Sequence, residues 1–301
     1  MEFPIPWNDE AYFLSQAFEF SRTGSFYVYG LNSERVVMWM PPGYMLLLAG
    51  VYKVFGYSFD LSRWVSCLLY LGSVGVGLAL VQIYLQGWRR RVALLLMLLA
   101  YLSPYSLAIA NLARMEGLYT LVFMLSLLAA LRGKYALGLA LVLIGATVHY
   151  NAVYFLLPYA ALVAWKILNR ETLLVGPGEL LALSSAALAL TGYGLFVFKH
   201  VDGFLQDMQF QFAFKGIAPM MSGREGWTLL LALLAIPCLQ LLAHRRFCSE
   251  VLLSLYGVAF IAMPLNGQAL WYYFGYNFGF WLLLLGVLAS SASLTKGWQQ
   301  A

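Results

Sequence analysis

Nine apolar runs, separated by short links that hold nearly all of the charge, limit what this chain can fold into. They cover residues 64–84, 92–110, 117–131, 135–149, 152–168, 180–198, 227–243, 251–265 and 269–288. A helix needs roughly 17–25 predominantly apolar residues to cross about 30 Å of hydrocarbon. Several runs meet that length; those starting at 117 and 135 are short and need a thin bilayer or flanking residues to complete a crossing. A further run, Gly43–Phe55, follows Pro41-Pro42 and contains Lys53. It reads as a re-entrant or interfacial helix, or as a tenth crossing.

Composition closes the soluble alternative. Charged residues make up 10% of the chain, hydrophobic residues 62%, and mean hydropathy is +0.77. A soluble domain has about a quarter of its residues charged, so here the excess apolar surface faces lipid. The net charge of +5 does not mark a nucleic-acid binder, because the basic residues are scattered between apolar runs and form no stripe. Cys67 and Cys238 lie inside apolar runs and Cys248 in a basic turn, without metal-ligand spacing among the three, so they read as small buried hydrophobes. The start, MEFPIPWNDEAYF, lacks the basic head and apolar centre of a signal peptide.

Charge orients the spans. Cytoplasmic loops carry an excess of Lys and Arg. If the nine spans alternate, one face holds ten basic residues against the acids Glu171, Glu179 and Glu250, a balance of +7. The other face holds eight basic against ten acidic residues. The basic clusters sit at span ends, in GWRRRV, LRGKY and AHRRF, and mark the cytoplasmic side. The outer side then has the two long segments, 1–63 and 199–226, where chemistry at a membrane surface is expected. The expected fold is an all-α polytopic transmembrane bundle of nine to ten spans over 1–301, with interfacial helices in the first outer segment. Its parts are 1–63, core spans 64–198, the outer loop 199–226 and C-terminal spans 227–290, and a first span upstream of Met1 is expected.

Asp9 and Glu10 stand out in the first outer segment. They precede AYFLSQAFEFSRTG, which puts Phe13, Ala17 and Phe20 near one helical face beside Leu14 and Phe18. Asn8 or Asp9 is a candidate N-cap and Gly24 a candidate stop. On this evidence the acids either cap an interfacial helix and favour its dipole, or form a carboxylate pair containing a general base.

The order DEAYFLSQAFEFSRTGSF, MPPGYMLLLAGVYKVFGYS and LSRWVS before a span resembles the GT-C glycosyltransferases. The likeness is narrowest to the family 39-like branch of protein mannosyltransferases and aminoarabinose transferases. It continues through SPYSLAIANLARMEGLYTLVF and ATVHYN, and more loosely through FLQDMQFQFAFKG. The resemblance implies transfer of a sugar from a polyprenyl-phosphate donor outside the cytoplasm, with Asp9 as the catalytic carboxylate and Glu10 its neighbour. The aminoarabinose branch has a lysine before the paired prolines; here that position is Met40, a departure from its phosphate-binding mode.

The remaining candidates keep a bland reading beside the sharp one. Arg114 and Glu116, in a short outer link, form a local ion pair or orient the acidic pair. His149 ends a span as an interfacial histidine or a site residue. Lys199, Lys215 and Arg224 fit a donor phosphate, or simply an anionic membrane surface. Tyr272 and Tyr273, with Trp271 and Tyr276, form an aromatic belt or a sugar platform. His200, Asp202 and Asp207 share a loop in a pattern that admits a divalent metal without indicating one, and no cofactor is certain. The expected partners are the bilayer, the lipid-linked sugar and an unidentified acceptor, in a bacterial plasma membrane. The rival readings are a transporter or flippase of a lipid-linked or small polar substrate, and an inactive fragment or assembly partner.

Overall fold

A computed structural model of the chain describes residues 8–38, 40–172, 174–214, 224–263 and 273–298. Among these residues the structure is all helical: thirteen α-helices and one 3-10 segment, with no strand. Three helical stretches are long and apolar enough to cross a membrane: Phe59–Tyr84, Tyr150–Leu168 and Pro177–Lys199. Six shorter apolar helices accompany them.

The first segment is folded rather than loose. Helix α1 (Asn8–Thr23) stops at Gly24, whose φ of 73° is left-handed and whose N–H bonds to Phe20 O at 2.9 Å. Its buried face is Tyr12, Phe13, Leu14, Gln16 and Ala17. Gln16 donates to the carbonyls of Phe26 and Val37, and the Tyr12 hydroxyl also donates to Val37 O, which ties the chain after α1 back onto it. Helix α2 (Gly43–Phe55) starts against the 147 turn. Gly43 N–H donates to Thr147 O at 2.7 Å, and a Cβ at Gly43 would meet that oxygen at 2.6 Å.

Helix α3 (Phe59–Tyr84) begins five residues before the apolar run, because Ser58 caps it by accepting from Leu61 N–H. Arg63 therefore lies within the helix. The expected span at 92–110 is broken into α4 (Gly87–Tyr101) and α5 (Pro104–Asn111). Pro104 has no N–H to continue the ladder, and Ser103 caps the new helix through Ser106 N–H. Asn277 donates to the same Ser103 hydroxyl at 2.8 Å, so the break is a packed feature.

Helix α6 (Glu116–Leu131) is central, with Tyr119, Phe123, Met124 and Leu127 fully buried. A turn at Arg132-Gly133, with Gly133 at φ 78°, leads into α7 (Tyr135–Ala146). Ser126 Oγ donates to Gly138 O and lies 2.8 Å and 2.6 Å from the Tyr159 and Tyr256 hydroxyls. Gly138 leaves room for that cluster, since a Cβ there would collide with the Tyr159 hydroxyl. After His149 a 3-10 segment (Tyr150–Phe155) runs into α8 (Leu156–Leu168), and Phe155 stacks on Phe123 at 3.9 Å.

Helix α9 (Pro177–Lys199) is long and apolar but little covered, with Leu181, Leu188, Leu195 and Phe198 exposed. Surfaces of this kind suit lipid contact. Within the expected outer segment 199–226, α10 (Val201–Phe214) follows α9 directly. Its inward positions are Gly203 and Asp207, one turn apart, so no apolar stripe announced it. Helices α11 (Arg224–His244), α12 (Ser249–Ala262) and α13 (Tyr273–Trp298) close the bundle. A Cβ at Gly257 would meet Gly279 O at 2.7 Å, and one at Gly279 would meet Gly257 O at 2.6 Å, so α12 and α13 pack backbone to backbone. Of the cysteines, Cys238 is exposed on α11 rather than buried, and Cys67 and Cys248 are half-buried. A helix side that faces lipid is apolar without being covered by protein.

Candidate functional site

Two arginine–carboxylate pairs meet where α1, α3 and the 112–115 link converge. Asp9 and Glu10 stand in the first turn of α1, which starts at Asn8, rather than ahead of it as a cap. Glu10 is completely buried. Arg63 grips it with two hydrogen bonds, Nε to Oε1 at 3.0 Å and Nη2 to Oε2 at 2.9 Å. Ala113 N–H adds a third, to Oε1 at 2.7 Å. One side chain thus ties the start of α1 to α3 and to the link before α6.

The second pair is next in the chain after Ala113. Arg114 donates from Nε to both Glu116 oxygens at 3.1 Å and from Nη2 to Oε1 at 2.7 Å. Arg114 is 4% and Glu116 1% exposed, so both charges are out of water. Each ion removed from water this way costs several kcal/mol before pairing, of order what a whole small domain gains on folding. Around them Ser66 Oγ contacts Tyr44 Oη at 2.8 Å and donates to Arg114 O at 3.4 Å. Gly117 keeps α6 close to α3: a Cβ there would meet Ser66 O at 3.0 Å.

His149 belongs to the same end of the bundle. It is 2% exposed, accepts from Asn151 N–H on Nδ1 at 3.0 Å, and lies 5.1 Å from the Tyr119 ring. Its Nδ1 is thereby the acceptor that starts the 3-10 segment. A capping histidine of this kind is held in one tautomer by its own backbone.

A third pair was hidden from sequence. Arg35 grips Asp207 through Nη1 to Oδ2 at 2.9 Å and Nη2 to Oδ1 at 2.8 Å, and Met38 N–H donates to Oδ2 at 2.6 Å. This clasp joins the first segment to α10, with Gly203 leaving room for the arginine stem. The hydrogen bond with Asp207 pushes the Arg35 pKa above its ordinary value against the opposing cost of burial. Asp207 is thus engaged by Arg35, while Asp202 is exposed and His200 packs on Phe196.

Of the sequence candidates, then, Glu10, Arg114, Glu116 and His149 gather at one end of the bundle. Lys199 is exposed in the last turn of α9. The side chains of Asp9, Arg224 and Tyr273, and all of Lys215 and Tyr272, lie outside the described residues. Arg63 and Arg35 are the additions. The signal for Arg63 was an arginine near the start of a long apolar helix, a position that demands a partner. Comparisons of the chain with protein-family models, curated proteins and solved structures find no match.

Proposed function

We propose that the protein is a membrane glycosyltransferase that moves a sugar from a polyprenyl-phosphate donor to an acceptor outside the cytoplasm. The observation that carries this reading is the grip on Glu10: a buried carboxylate, saturated by Arg63 and Ala113 N–H, immediately after Asp9. A carboxylate so engaged is a poor base, because taking a proton breaks a charged hydrogen-bond set. It is a good anchor. Glu10 then fixes the first turn of α1, and Asp9 is left as the base of the pair. Arg114 and Glu116 hold the adjacent link rigid, which is the use that a buried, costly ion pair has in a site.

In a single displacement, Asp9 takes the acceptor hydroxyl proton as the acceptor oxygen bonds to the anomeric carbon. The bond from that carbon to the phosphate oxygen breaks, and polyprenyl phosphate leaves with the electron pair. Lys199, Lys215 and Arg224 are the candidates to meet its charge, and Tyr272 and Tyr273 the sugar. A multi-pass bundle of nine to ten crossings, with the acidic pair on the outer side of a bacterial plasma membrane, completes the reading. Supporting that orientation, Arg132, Lys134, Lys166, Arg245 and Arg246 fall at the opposite helix ends.

The test is Asp9→Asn in the inserted full chain, assayed with a labelled polyprenyl-phosphate sugar. Loss of about 100-fold or more in transfer, the low end for removal of a general base, is expected. Unchanged transfer overturns the assignment.

A further inference from the structure

At the basic end of the bundle, the turn between α11 and α12 brings together three groups that nothing in the proposed reaction uses. The ligand atoms of His244, Cys248 and Glu250 lie within 4.8 Å of one another, and all three residues are half-buried. The spacing is His-x3-Cys-x-Glu, and Arg245 takes a left-handed φ of 50° that turns the chain between the first two. The Glu250 carboxylate accepts from the Ser249 hydroxyl at 3.1 Å. The His244 ring has a long contact to Ser290 Oγ, 3.5 Å from Nε2.

A second observation points to a ligand here. Gln240 lies four residues before His244 on α11, hence on the same helical face one turn further in. It is 7% exposed, and neither its Oε1 nor its Nε2 has a hydrogen-bond partner among the described residues. A buried, wholly unpaired amide is rare and costly, and it calls for a water or ion close by.

We propose that His244, Cys248 and Glu250 form a binding site for a zinc-class divalent transition metal, with a water in the fourth position that the Gln240 amide holds. Imidazole, thiolate and carboxylate are the ligand types this borderline-soft ion takes. In a tetrahedral site, ligand atoms stand about 3.3–3.7 Å apart, so closure on a metal asks for side-chain rotation of roughly an ångström. Charge also balances: a dication with one thiolate and one carboxylate is neutral, which suits a half-buried position at a span end. Arg245 and Arg246 are exposed and point their charge into solvent. Cys248 supplies its thiol proton to the medium on binding, and no redox step is involved. The metal staples the end of α11 to the start of α12, a role independent of the sugar-transfer site.

Cobalt(II) chloride reports on such a site through a near-ultraviolet sulfur-to-cobalt charge-transfer band. The full chain, purified in detergent with a non-thiol reductant and stripped by chelator, is expected to give that band at one equivalent, and zinc to erase it by competition. Cys248→Ser removes the band, while Cys67→Ser and Cys238→Ser keep it. His244→Ala and Glu250→Gln, each checked for unchanged helical circular dichroism, weaken cobalt binding by roughly tenfold or more. No band in the wild-type protein, or a band that survives Cys248→Ser, overturns the proposal.

Discussion

The two ends of the bundle use charge in opposite ways. At the Glu10 end the carboxylates are fully buried against arginines: Arg114 and Glu116 are both under 5% exposed, and Glu10 is at 0% beside an Arg63 side chain at 14%. At the other end, Arg89, Arg90 and Arg91 sit in one run, and Lys166 pairs with a Glu171 whose side chain is 48% exposed. In the proposed topology these basic residues act through the anionic leaflet and the insertion bias, which do not require partner geometry. Buried pairs carry a desolvation cost that exposed ones do not, and removing one partner strands a charge out of water. In the proposed reading the contrast separates residues that orient the protein from residues that hold its site.

The sharpest way to break this contrast is to leave a buried charge alone. Arg63→Ala strands the Glu10 carboxylate and is expected to cost about 3–5 kcal/mol, read as a fall in thermal midpoint in detergent. The double substitution Arg63→Met with Glu10→Gln keeps an acceptor for Ala113 N–H. It is expected to recover most of that stability while transfer stays impaired. Recovery of both would make the pair a purely structural device.

Next in size is Gly257→Ala, which forces α12 from α13 because its Cβ meets Gly279 O at 2.7 Å. A loss of about 1–3 kcal/mol is expected, with no specific effect on the Glu10 end. Arg35→Ala removes a pair whose arginine is 27% exposed, so solvent screening limits the cost to about 1–2 kcal/mol. Limited proteolysis near α10 should rise with it, because Asp207 then loses its hold on the first segment. The smallest effect belongs to the pair whose carboxylate is 48% exposed: Lys166→Ala should change stability by less than about 1 kcal/mol. A loss as large as that of Arg63→Ala would erase the distinction between the ends.

The sequence carried the helical class and the apolar character, because period and composition are local properties. Gly24 as the stop of α1 was visible for the same reason: only a left-handed residue closes that turn. The break at Ser103-Pro104 was also written locally, yet the apolar run on both sides masked it. The partners were not legible. Glu10 meets Arg63 and Ala113 at separations of 53 and 103 residues, and Arg35 meets Asp207 at 172, distances across which no local pattern operates. The family resemblance singled out Asp9 and Glu10 together, and the hydrogen bonds on Glu10 support the proposed reading in which Glu10 is the anchor and Asp9 the base. The His244–Cys248–Glu250 group was missed for another reason. The three cysteines were weighed against one another, and the ligands near Cys248 are a histidine and a carboxylate.

The reach of the Glu10 grip also sets an order of assembly. One of its donors, Ala113 N–H, is made 103 residues after Glu10 itself. At a synthesis rate of about 5–20 residues per second, that is a wait of roughly 5–20 s. Throughout it the carboxylate has no complete set of partners and favours water over hydrocarbon. In the proposed topology this keeps the first segment at the membrane surface during insertion, to dock when α3 and the link before α6 have arrived. A substitution that makes Glu10 apolar would remove that delay, and would let α1 commit to the bilayer before its neighbours exist.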